Sequence, residues 1–102
     1  MENKVSFETP EFISWLAGMT KIYDDYMTAH YPNQKEPITC REGSRYIKVM
    51  RGNSVHAFID RRNGDVLKPA TWSAPAEHAR GNIFDTSNGL SMMNEHGPAY
   101  LR

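Results

Sequence analysis

The sequence predicts an α+β fold. An N-terminal amphipathic helix packs on a four-stranded antiparallel meander, and a loop-rich C-terminal segment containing one short helix follows. Three observations predict it. Apolar residues recur at alternating spacings of three and four from Phe12 to Tyr26, the period of one helix face. From residue 36 the period changes to the alternation of half-buried strands. The breaks in that alternation, Glu42-Gly43-Ser44, Gly52-Asn53 and Arg62-Asn63-Gly64, are short enough to force antiparallel neighbours.

The helix covers residues 9–30. Thr9 suits the N-cap, and Pro10 the first helical position, where its missing N–H costs nothing. Glu11 adds negative charge where the helix dipole favours it. Phe12, Trp15, Met19, Ile22 and Tyr26 form the apolar stripe, widened by Leu16, Tyr23, Met27 and His30. Pro32 ends the helix by disfavouring helical geometry in Tyr31. Gly18 costs about 1 kcal/mol against Ala inside a helix, which implies close approach of another element. Asp24 and Asp25 are adjacent and point in different directions, as solvated surface rather than a metal pair.

The strands are "PITCRE", "RYIKVMR", "SVHAFID" and "DVLKP". Asn63-Gly64 is a strong hairpin signal, since both central residues of the favoured turn need positive φ. Alternation puts Ile47, Val49, Val55, Ala57 and Ile59 on one face, for the helix. Tyr46, Lys48, Met50, His56 and Phe58 take the other. After Pro69, "WSAPAEHARGN" reads as the short helix, with Ser73 as cap, Pro75 in the first turn and Gly81 as stop. Ile83, Phe84, Leu90, Met92, Met93, Tyr100 and Leu101 read as anchors that hold an extended tail on the body.

A chain of 102 residues, 39% hydrophobic and 24% charged, fits one globular domain spanning 1–102. Net charge is zero, which removes overall basicity as an argument for nucleic-acid binding. The charge is uneven: residues 1–36 carry a net of −3 and residues 37–80 a net of +4. Cys40 is the one cysteine and excludes a disulfide within the chain, which fits a reducing cytoplasm and a structural thiol. The first residues lack a signal-peptide pattern, and no run approaches a membrane span. The chain is expected to stay soluble where it is made, with no membrane partner.

Phosphate loops, dinucleotide fingerprints, nucleophile elbows and metal-ligand spacings are absent. His30, His56, His78 and His96 share no ligand spacing, and His56 and Asp60 on one strand lie about 13 Å apart. The expectation is therefore a non-enzymatic binding protein without catalytic residues, metal or cofactor. Its surface is the second sheet face, where Tyr46, Lys48, His56 and Phe58 interleave aromatic rings with charge. Arg51, Arg61, Arg62 and Lys68 stand at strand ends and turns. Open sheets of this kind stack bases and pair phosphates, so the expected partner is nucleic acid or a nucleoprotein. The competing expectation is that the tail, with Trp72 and Phe84, covers this face as a second core layer.

The run "YIKVMRGNSVHAFIDRRNGDVLKPATWSAPAEHARGNIFD" and the ending "GPAYLR" resemble an uncharacterised family of small proteins of tailed bacteriophages. The resemblance covers residues 46–85 and the last six residues. It carries no activity. It implies synthesis in the host cytoplasm of an infected bacterium and binding to host or phage machinery. A protein-directed inhibitor of a host enzyme or defence system is the alternative reading, and pairing of strand edges between copies would give a homo-oligomer.

Overall fold

The computed structural model describes residues 4–99. The alternating region forms a five-stranded antiparallel sheet in sequential order. Its strands are β1 (Ile38–Glu42), β2 (Tyr46–Arg51), β3 (Ser54–Asp60), β4 (Asp65–Pro69) and β5 (Pro75–Asn82). Helix α1 (Pro10–His30) packs on one face, and a small hairpin pairs β6 (Met93–Asn94) with β7 (Gly97–Pro98). The anchors Tyr100 and Leu101, and the end of the "GPAYLR" motif, lie outside the described residues.

Pro10 opens α1 as its spacing implies, but the Thr9 side chain does not cap the first turn. Thr9 Oγ1 instead accepts the Ser6 N–H at 2.8 Å and tightens the entry to the helix. At the far end the Tyr31 N–H bonds the Met27 carbonyl at 2.7 Å, and a 3-10 turn, Pro32–Gln34, leads to β1. Phe12, Trp15 and Met19 are buried against Ile47, Val49, Ala57, Ile59 and Val66 of the sheet. Full burial of each such side chain contributes about 1.5–3 kcal/mol. Gly18 has the use its position implies, since a Cβ there would lie 2.5 Å from Leu90 Cδ1.

The short helix expected over 73–81 is instead the fifth strand. Its N-terminal signals, Ser73 and Pro75, fit an edge strand equally well, because proline is tolerated as the first residue of one. A β4 edge left open would expose unpaired backbone groups. Pairing of Leu67 with Ala79 and Asp65 with Asn82 satisfies them and overrides the local helical preference. Asn63-Gly64 also differs from expectation: Gly64 takes positive φ (84°), Asn63 does not, and the Gly64 N–H closes the turn onto Asp60.

A β-bulge makes the largest correction to the expected faces. Val49 pairs with Ala57 and Met50 with Val55, so His56 is the extra residue. Beyond the bulge the alternation reverses. Val55 shares the face of Met50, away from α1, and His56 turns toward α1, where its ring meets Tyr23 edge-on at 6.2 Å.

The tail divides. Residues 83–99 run on the α1 side: Ile83 and Met93 join the core, and Leu90 fills the notch at Gly18. Phe84 lies against Gly64 in the β3–β4 turn. Among the described residues, the 70–74 loop and β5 are the parts of the tail that border the second face.

Candidate aromatic and cationic sheet face

Regular alternation in β2 directs Tyr46, Lys48 and Met50 away from α1. The register then draws one row across all five strands: Arg41, Lys48, Phe58, Leu67 and Ala79. Phe58 and Leu67 are buried in it, and Met50 is buried beside it on the same face. The Tyr46 ring meets Phe58 edge-on at 5.8 Å, and the Arg45 guanidinium lies 5.0 Å over the Tyr46 ring.

Trp72 lies against Lys48 within this row. Its loop is fixed by Thr71 Oγ1, which accepts the N–H groups of Ser73 and Ala74, and by an Ala70 N–H to Ala74 carbonyl bond. The loop sets the indole 3.4 Å from the Lys48 ammonium, centroid to nitrogen, and Trp72 remains 54% exposed. An exposed cation–π pair of this kind contributes about 0.5–1 kcal/mol. Between Arg41, Arg45, Tyr46, Lys48, Phe58 and Ser73 lies an open groove of about 490 Å³.

The charge on this side is cationic in surplus. Asp60 is buried and bound by Arg62 at 3.3 Å and Arg45 at 3.5 Å. Burial pushes its carboxyl up, but hydrogen bonds from Arg62 and then the charges of Arg62 and Arg45 outweigh that and hold it below the usual carboxylate value. Among the described residues, Arg41 and Lys48 carry no ion pair.

Of the eight residues expected here, Tyr46, Lys48 and Phe58 build the face and Arg62 borders it. The other four lie elsewhere. His56 is on the α1 side because of the bulge. Arg51 lies over the Tyr23 ring at 5.9 Å and 3.8 Å from Glu36. Arg61 ties the N-terminal segment to the β1–β2 turn, donating to the Val5 and Gly43 carbonyls and pairing with Glu42 at 2.6 Å. Lys68 donates to the Pro98 carbonyl at 3.1 Å, also on the α1 side. The face gains Arg41, Arg45 and Trp72. Arg41 was legible, since the 42–44 turn sets it opposite Lys48. Trp72 was expected as part of a cover. It does cover Lys48, but stays half in solvent.

Other chemistry is muted. Burial pushes the Cys40 thiol up to about 11, which keeps it protonated and unreactive at neutral pH. Among the described residues no group of three or more His, Cys, Asp or Glu is placed to hold a metal ion, and no helix is long and apolar enough to cross a membrane.

A family model described as a family of unknown function (DUF7717) matches residues 3–99. The chain belongs to that family. The match takes in α1 as well as the hairpins, so the family extends well beyond the 46–85 motif. No curated protein and no solved structure matches the chain.

Proposed function

We propose that this member of the family is a binding module whose second sheet face takes single-stranded nucleic acid. The observation that carries the reading is Lys48 seated on a half-exposed Trp72 beside Tyr46, with Arg41 and Arg45 along the same groove. In this reading a base displaces the Lys48 ammonium from the indole and stacks there, and the released ammonium meets the adjoining phosphate. Two or three cations reach the strand, so the salt dependence is modest, with a slope of about −0.7 per neutralised phosphate. The setting is the cytoplasm of a phage-infected bacterium, which rests on the motif resemblance alone. The second reading is a protein partner, favoured by the exposed Trp72, since tryptophan is among the side chains that most often anchor protein interfaces.

Fluorescence anisotropy with a labelled single-stranded oligonucleotide tests the proposal. Wild type should bind the single strand more tightly than the matching duplex. Trp72→Ala should weaken binding by about tenfold, and Arg41→Ala should flatten the salt slope by about 0.7. Lys35→Ala, on the α1 side and paired with Asp24, should change neither. Absence of binding at low salt sinks the nucleic-acid reading. A host protein that Trp72→Ala fails to retain after nuclease treatment would then support the second.

A further inference from the structure

A further open concavity lies on the opposite side of the sheet, where α1 ends. Tyr23, Tyr26 and Met27 from the last turns of α1, with Tyr31 after it, line a hollow of about 490 Å³. His96, from the β6–β7 turn, closes it. Tyr26 sits at the centre of a ring cluster. His30 is 4.5 Å away at 39°, Tyr31 6.3 Å away at 47° and His96 6.2 Å away at 60°. The rings meet at tilted or edge angles rather than face to face, and Tyr26, Tyr31 and His96 all line the hollow.

Its charge points to one class of ligand. Glu36 and Glu95 line the hollow with Arg51, two carboxylates to one guanidinium. The C-terminal end of α1 adds partial negative charge. The chain already places a cation on one wall: the Arg51 guanidinium lies over Tyr23 and is held by Glu36 and by the Glu95 carbonyl. The Tyr26, Tyr31 and His96 side has no such cation among the described residues. Metal coordination does not fit, because among the described residues no group of three or more His, Cys, Asp or Glu is placed to hold an ion. A weakly hydrated organic cation fits, since aromatic faces replace its solvation without needing a shell of oxygens.

We propose that this hollow binds an alkylated ammonium group, carried by a small molecule or by a modified lysine side chain. It lies across the sheet from the aromatic and cationic face, so its occupancy stands or falls independently of the nucleic-acid reading.

Choline and its neutral isostere 3,3-dimethylbutan-1-ol are the probes, titrated against the full chain by NMR. Choline should give saturable shifts centred on Tyr26, Tyr31 and His96, and the isostere should bind about fivefold more weakly or worse. Tyr31→Ala and Glu36→Gln should each weaken choline by a similar factor, and Tyr31→Phe should retain it. Nα-acetyl-trimethyl-lysine amide distinguishes the sources: tighter binding than choline assigns the site to a modified side chain, equal binding to the headgroup alone. Equal affinity for choline and the isostere overturns the proposal. So does failure of choline to saturate, or indifference of choline binding to Tyr31→Ala and Glu36→Gln together. A thermal melt of each variant separates lost binding from lost fold.

Discussion

His56 should make the fold sensitive to mild acid, and replacing it should remove that sensitivity. The bulge drives its imidazole under α1, where it is 1% exposed. Neither ring nitrogen has a hydrogen-bond partner among the described residues. Burial first, and then the charges of Arg51, His96 and Lys68, push its pKa down from 6.5 to about 4. Between those values the unfolded chain binds a proton that the folded chain refuses, so stability is full above 6.5 and falls as pH drops toward 4. At 1.36 kcal/mol per pH unit the whole window is worth about 3 kcal/mol, of which about 2 kcal/mol is lost by pH 5. His56→Leu fills a similar volume with nothing to protonate. Urea unfolding of wild type and His56→Leu at pH 7, 6 and 5 isolates the effect, because the other titrating groups are common to both. The stability of the variant relative to wild type should grow by about 2 kcal/mol from pH 7 to pH 5, with unchanged m-values. Parallel curves would refute the burial of a neutral His56, and with it the bulge that places it there.

Two further outcomes follow from the same packing. Gly97 has φ +107°, and a Cβ there would collide with the His56 carbonyl oxygen. Gly97→Ala should therefore cost well over 1 kcal/mol of stability, read as a lower midpoint in urea unfolding, whereas Gly43→Ala, whose Cβ meets nothing closer than 3.2 Å at the Tyr46 carbonyl, should cost less. Asp60→Asn should cost about 1.5–3 kcal/mol at pH 7 by weakening charged hydrogen bonds from Arg62. Asp60 is held below its ordinary value, so its contribution exists above that value and is lost on acidification through the folded one. The wild-type advantage should therefore shrink below about pH 4, as urea unfolding at pH 7 and pH 3.5 can show.

What was legible in the sequence is what depends on local pattern. The limits of α1, four strands and the close approach at Gly18 all follow from periodicity and turn residues read within a few positions. What was not legible depends on counting across strands or on a neighbour far along the chain. "SVHAFID" alternates without a flaw, and nothing in it marks an extra residue; the bulge exists only relative to β2. "PAEHARGN" carries helix formers and becomes a strand because β4 offers it an edge. The tail's anchors were recognisable as anchors. Which face they chose was fixed by the notch at Gly18 and by where α1 left the sheet uncovered.

Strand alternation also decides how the positive charge of residues 37–80 must be counted. Arg51, Lys68 and Arg80 all end on the α1 side, and each donates to a carbonyl of the C-terminal segment: Glu95, Pro98 and Ala99 respectively. Three cations from three different strands thus hold one length of chain, and Arg61 holds another at the N-terminal end. Half of the basic residues that make the region look like a polyanion site therefore bind backbone. The remaining four, Arg41, Arg45, Lys48 and Arg62, lie on or beside the aromatic face, and Arg45 and Arg62 share the buried Asp60. A surface built this way gains little from long-range attraction, consistent with a net charge of zero. Its affinity for a strand has to come from rings, which is why Trp72, rather than any single arginine, is the residue on which the nucleic-acid reading turns.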